Sequence, residues 1–264
     1  MEIIICRDGD EVARIAAETV AQVCRRVGPS VTLGVATGSS PLALYRDLAA
    51  IVRKGEIDLS RANAFALDEY IGLPEGHPES YAEVIRRTVT EPLGLAPSRV
   101  RAPNGRAADI EQACEEYELA IREAGGVDIQ ILGIGANGHI GFNEPSSSLS
   151  SRTRIKTLTP KTREDNARFF DSIDQVPVHC LTQGLGTIMD ADEVVLVAQG
   201  AGKADAVAAM VEGPVTASCP GSILQTHQYA TIVVDEAAAS KLANHEYYRW
   251  AYANKPSWQG FGQD

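Results

Sequence analysis

The feature that most constrains this chain is a recurring order: a strand-length apolar run, a turn, then a helix-period stretch. The runs are residues 2–6, 31–36, 62–67, 127–132, 194–198 and 229–234. Helical patterns follow them. One runs from a cap at Asp8 or Asp10 to about Val27, with Val12, Ile15, Ala16, Thr19, Val20 and Val23 on one face. Another begins at Pro41 and carries Leu42, Leu44, Tyr45 and Leu48, with Pro41 suited to the first turn and a serine to the cap. Helices are expected over 79–90, 110–123, 178–189 and 236–250, and from Lys203 to Val211. Strands alternating with helices predict an α/β fold, a doubly wound and mainly parallel sheet covered on both faces. No repeat, low-complexity segment or linker interrupts it, so residues 1–264 are expected to form a single domain. The polar, Ser/Thr-rich stretch 146–166 is expected to be a mobile segment over the site.

Composition excludes several classes. No apolar run approaches the 18 or more residues of a membrane helix. The opening residues 1–6 enter a strand without a basic leader, so a cytoplasmic protein is expected. Five cysteines, widely spaced and without C-x-x-C, fit free thiols better than disulfides or zinc. A formal net charge of −11 opposes nucleic acid and anionic membranes.

Residues 132–145 read Leu-Gly-Ile-Gly-Ala-Asn-Gly-His-Ile-Gly-Phe-Asn-Glu-Pro. Four glycines surround His139, and Glu144 follows closely. Such a loop brings backbone near a ligand, and a carboxylate can fix the tautomer of a nearby imidazole. Gly133, Gly135 and Gly138 spell the dinucleotide fingerprint, yet no helical period follows and no acid stands about 20 residues on. A nicotinamide site is therefore disfavoured.

Two further strand ends suit an anion. Thr37-Gly38-Ser39-Ser40 precedes a helix start, where a negative ligand gains about 0.3–1 kcal/mol. Lys203 stands in the first turn of another helix, an unfavourable place for a cation unless an anion lies between. Gly200-x-Gly202-Lys203 lacks the first glycine and the Ser/Thr of a P-loop, because Val197 and Ala204 stand there. One phosphate held from two sides fits better, with Arg168 and the run Arg152, Arg154 and Lys156 adding positive charge. Asp68 and Glu69 end an apolar strand, and either could be a general base; strand alternation does not choose between them. No G-x-S-x-G elbow and no metal-ligand spacing is present.

At Leu67-Asp-Glu-Tyr-Ile-Gly-Leu-Pro74, Gly135 to Pro145, Thr153-Arg-Ile-Lys-Thr157, Asn166-Ala-Arg-Phe-Phe170 and Gly202-Lys203 the chain resembles the glucosamine/galactosamine-6-phosphate isomerase and deaminase family. The resemblance covers nearly the whole chain. It implies a Rossmann-like fold, a small-molecule aminosugar phosphate as substrate, and neither metal nor organic cofactor. It implies that glucosamine 6-phosphate and water become fructose 6-phosphate and ammonium. It implies that Asp68 shuttles a proton between C2 and C1, and that His139, held by Glu144, assists ring opening. It puts the phosphate on Gly38, Ser39, Ser40, Lys203 and Arg168, beside Thr37. Some members carry aspartate where Asn137 stands. An amide orients the ring without supplying negative charge, so Glu144 is expected to carry more of the electrostatic role. Some members are hexamers activated by N-acetylglucosamine 6-phosphate. Their effector pocket resembles Ser147, Arg154, Lys156 and Thr157, and a homo-oligomer is one expectation. Alternatives within the superfamily are a galactosamine 6-phosphate enzyme and a hydrolase of sugar-acid lactone phosphates; a non-catalytic sugar-phosphate sensor is a third.

Overall fold

The strands are β1 (Glu2–Cys6), β2 (Thr32–Val35), β3 (Asn63–Ala66), β4 (Asp68–Tyr70), β5 (Val100–Arg101), β6 (Ile129–Leu132), β7 (Arg154–Thr157), β8 (His179–Thr182), β9 (Glu193–Ala198) and β10 (Ala230–Asp235). This computed structural model describes residues 1–256 and Gln259. The expected domain boundary at Asp264 lies outside the described residues. Seven strands form one sheet in the order β1-β10-β9-β6-β2-β3-β5, with every pairing parallel. The chain winds outward through β2, β3 and β5, then returns to β6 and winds the other way through β9 and β10. The direction reverses between β2 and β6, and such a switch point opens a crevice at the carboxyl ends of the strands.

The alternation of side chains splits the core into two layers. Ile4, Leu33, Val35, Ile129, Ile131, Val195 and Val197 face one side and pack with Val12, Ile15 and Val20 of the helix Gly9–Val27 and with Leu44, Tyr45 and Leu48 of the helix Leu42–Arg53. Phe65, Leu132, Leu196 and Val234 face the other side and pack with Tyr117 and Ile121 of the helix Ile110–Glu123 and with Val207 and Met210 of the helix Ala204–Val211. The doubly covered sheet is thus as the periodicity predicts.

Other expectations need correction. Residues 178–189 do not form one buried helix: β8 fills 179–182, and the helix Leu185–Met189 follows Gly184. Gly184 breaks the stretch, and β8 before it is the middle strand of an antiparallel sheet ordered β4-β8-β7. The stretch 146–166, expected to lie over the site, carries regular structure, namely β7 and the helix Pro160–Asn166. Glu118 anchors it, accepting from Thr153 N at 2.8 Å, Thr187 Oγ1 at 2.6 Å and Arg152 Nη2 at 2.6 Å. Residues 236–250 divide into the helices Glu236–Ala239 and His245–Ala253. The helix after β2 starts at Leu42, with Pro41 at the cap position and no side-chain cap.

Candidate active site

A cleft lies across the switch point. Residues following four adjacent strands line it: Thr37 to Pro41 after β2, Leu67 and Asp68 after β3, Gly133 to Ala136 and His139 after β6, and Lys203 after β9; Asn137 does not itself line it. Its space, open mouth included, is about 810 Å³. The carbon-base candidate and the imidazole share this cleft with both anion points. The loop of His139 runs beside Asp68: a Cβ added at Gly141 would lie 3.6 Å from Asp68 Oδ2 and 2.9 Å from Thr182 Oγ1.

Asp68 and Glu69 are told apart by what surrounds them. Glu69 accepts from Tyr70 N, Tyr81 N and Ala82 N at 2.8, 2.9 and 2.8 Å, so it holds the start of the helix Tyr81–Ile85 and does not line the cleft. The Asp68 carboxylate takes no hydrogen bond among the described residues. Burial, and then the neighbouring charge of Glu69, push its carboxyl well above the usual carboxylate range.

His139 lies over Gly135. A Cβ there would fall within 2.3–2.5 Å of ring atoms Cε1, Nε2 and Nδ1, so only glycine admits the ring. Gly135 N also donates to His139 O at 2.9 Å. The ring's Nδ1 faces Glu144 Oε2 at 3.5 Å, too long for a hydrogen bond and close enough for ion pairing. Asn137 completes the group: its Nδ2 donates to Glu144 Oε2 at 2.7 Å, and its Oδ1 accepts from His139 N at 3.2 Å. Burial raises the Glu144 carboxyl, but the nearby His139 ring and the hydrogen bonds from Thr162 and Asn137 hold it down at about 2. Glu144 is therefore the fixed negative charge beside this imidazole, and Asn137 positions it.

The residues expected to hold a phosphate, Thr37, Gly38, Ser39, Ser40, Arg168 and Lys203, all line the cleft. Gly38 has φ of +94°, a turn that favours glycine. The buried Tyr45 hydroxyl braces the loop through Ala36 N and Ala36 O, both at 2.9 Å. Lys203 closes the short turn Ala201–Lys203, and its Nζ donates to Ile134 O at 2.7 Å. Burial, together with the charge of Arg168, lowers its ammonium, while Asp165 opposes the shift. An anion here would oppose that shift and favour the charged form. The Arg168 guanidinium lies 4.7 Å over the Phe169 ring.

The structure does not bring Ser147, Arg154, Lys156 and Thr157 to this cleft. Arg154 and Lys156 share the more buried face of β7, with Thr157 on the other. Arg154 Nη1 donates to Asn143 Oδ1 at 2.9 Å, and Ser147 Oγ donates to Glu144 O at 2.7 Å. Sequence reasoning missed Tyr81, Phe142, Thr162, Asp165 and Asn166, which also line the cleft. Phe142 and Asn166 stand inside stretches already singled out, but no local pattern marks Tyr81, Thr162 and Asp165; Thr162, for example, meets Glu144 across 18 residues.

A family model described as glucosamine-6-phosphate isomerases/6-phosphogluconolactonase matches residues 7–233. The chain belongs to this family. Among its relatives are glucosamine-6-phosphate deaminases of Streptomyces coelicolor, 59% identical over 98% of this chain and 100% of that one, and of Cutibacterium acnes, 59% identical over 98% and 99%. A solved structure of a monomeric glucosamine-6-phosphate deaminase superposes with a TM-score of 0.88 at 39% identity, covering 91% of this chain and 100% of the other. A 6-phosphogluconolactonase from Trypanosoma cruzi shares the fold at a TM-score of 0.73 and 18% identity, over 92% and 97%.

Proposed function

We propose that this chain, acting as one domain, is a glucosamine-6-phosphate deaminase that yields fructose 6-phosphate and ammonium. The observation that carries the reading is a desolvated carboxylate, Asp68, in one cleft with His139 and the Thr37, Ser39, Ser40, Arg168 and Lys203 anion cradle. A lactone hydrolase has no use for a carbon base, whereas an isomerising deaminase requires one.

The steps follow from these positions. The cradle takes the phosphate. His139, kept in orientation by Glu144 and Asn137, moves the O1 proton to the ring oxygen O5 as the C1–O5 bond breaks. Asp68 removes the proton from C2 and delivers it to C1 while a proton passes from the ammonium nitrogen to O1, turning the amino aldehyde into a C2 iminium with a hydroxyl on C1. Water adds to that carbon, and the C–N bond breaks to leave the ketone and ammonium. A carboxyl raised by burial is a stronger base near neutral pH than an ordinary aspartate. Ser147, Arg154, Lys156 and Thr157 form the candidate effector site; support for it comes from Arg154 Nη2, which is buried without a hydrogen-bond partner.

The test is a substrate panel. Glucosamine 6-phosphate should release ammonium, with deuterium from solvent appearing in the product. Faster turnover of galactosamine 6-phosphate would reassign the sugar, and hydrolysis of 6-phosphogluconolactone without ammonium release would replace the reading.

A further inference from the structure

We propose that Thr162 is a positioning residue that aims Glu144 at the imidazole of His139, tying the phosphate side of the cleft to its ring-opening side. The proposal deepens the deaminase reading and rests on it for its kinetic arm alone.

The two oxygens of Glu144 are divided between two segments of chain. Oε2 belongs to the His139 loop, meeting Asn137 Nδ2 at 2.7 Å and facing His139 Nδ1 at 3.5 Å. Oε1 belongs to the segment after β7, accepting from Thr162 Oγ1 at 2.5 Å, Thr159 Oγ1 at 3.2 Å and Thr159 N at 3.3 Å. Thr162 is buried, and its N–H in turn donates to Thr159 Oγ1 at 3.2 Å, which fixes the hydroxyl pair. With Oε1 held in this way, rotation of the carboxylate is stopped and Oε2 alone is left to meet the ring. Hydrogen bonds to the ionised carboxylate also keep it charged.

The same segment faces the ligand. Thr162, Asp165 and Asn166 of the helix Pro160–Asn166 line the cleft, and Arg168 follows immediately. Asn137 supplies no charge of its own. Asn137 reaches only Oε2, so the hold on Oε1 falls to Thr162 and Thr159.

The readout is the tautomer of His139 in 15N-histidine-labelled protein, assigned by the signal lost in His139→Gln. In the wild type at alkaline pH the Nδ1–H form, facing Glu144, should dominate. Thr162→Val, which keeps the shape and removes the hydroxyl, should shift the ring toward the Nε2–H form. It should also lower kcat on the cyclic sugar about tenfold, the usual scale for an outer partner of a functional side chain, with KM little changed. Thr162→Ser should restore both. A folded Thr162→Val protein with an unchanged tautomer, or a serine variant as impaired as the valine one, would overturn the proposal. If the valine protein does not accumulate, Thr162→Ala carries the same readouts. The tautomer measurement needs no substrate, so failure of the wild type to release ammonium would defeat the deaminase reading and leave this test standing.

Discussion

Asp68 and Glu69 are neighbouring carboxylates in opposite situations. Glu69 takes three backbone N–H groups and serves the helix Tyr81–Ile85; Asp68 takes none and faces the cleft. Because burial raises the Asp68 carboxyl, its ionised form is disfavoured in the folded protein. Its contribution to stability is fully present below the unfolded carboxyl pKa and is lost as pH rises through the elevated folded one. Asp68→Asn removes that loss. The variant should melt at a higher temperature than wild type at pH 7, with a smaller difference at pH 4, and its kcat should fall by about 10²–10⁴-fold. Wild-type kcat should fall on acidification with a midpoint well above the ordinary aspartate value of 3.8. Melts and rate profiles on the two proteins check this; a midpoint at the ordinary value would exclude Asp68 as the desolvated base.

At the scale of elements, the loop after β6 and the three-stranded sheet build the site together. The loop is seated by Phe142 N donating to Thr182 Oγ1 at 3.0 Å, and Thr182 is the register partner of Asp68. One strand pair therefore sets the base and steadies the imidazole loop. Gly135→Ala should displace the His139 ring, since the new methyl would overlap it. Misplacement of a reacting group by about 1 Å costs on the order of 100-fold in rate, while the strands beneath remain packed. The expected result is a folded protein by circular dichroism with kcat reduced about 100-fold. An active alanine variant would mean that the ring need not lie where it does. The glycine pattern and Glu144 were legible in the sequence because they are local. The partners Thr159 and Thr162 were not, because an apolar or hydroxyl-rich run carries no information about which distant carboxylate it will meet.

At the scale of the molecule, an anionic substrate approaches a chain of formal net charge −11. Lys203 and Arg168 line the cleft and act at contact, whereas any acid farther away than the Debye length, about 10 Å at 0.1 M salt, is largely screened. Raising ionic strength from about 0.01 M to 0.1 M should therefore screen the distant repulsion more than the contact attraction. The expected outcome is a rise in kcat/KM for the sugar phosphate; a steep fall would show that the local positive field governs capture. The sheet order explains how so few cations suffice. β9, β6, β2 and β3 are adjacent, so four strand ends deliver their groups to one crevice.

From the amino-acid sequence alone came the parallel-sheet class, its two apolar layers, and the four segments that carry chemistry. These are properties of periodicity and of short-range turn chemistry, which act within a few residues. The tertiary structure alone decided that Asp68 and not Glu69 enters the cleft, that residues 179–182 are a strand, and that Glu144 is clamped from a second segment. Each depends on hydrogen bonds between residues far apart in the chain, and strand register or loop docking chooses those partners only when the whole sheet has formed.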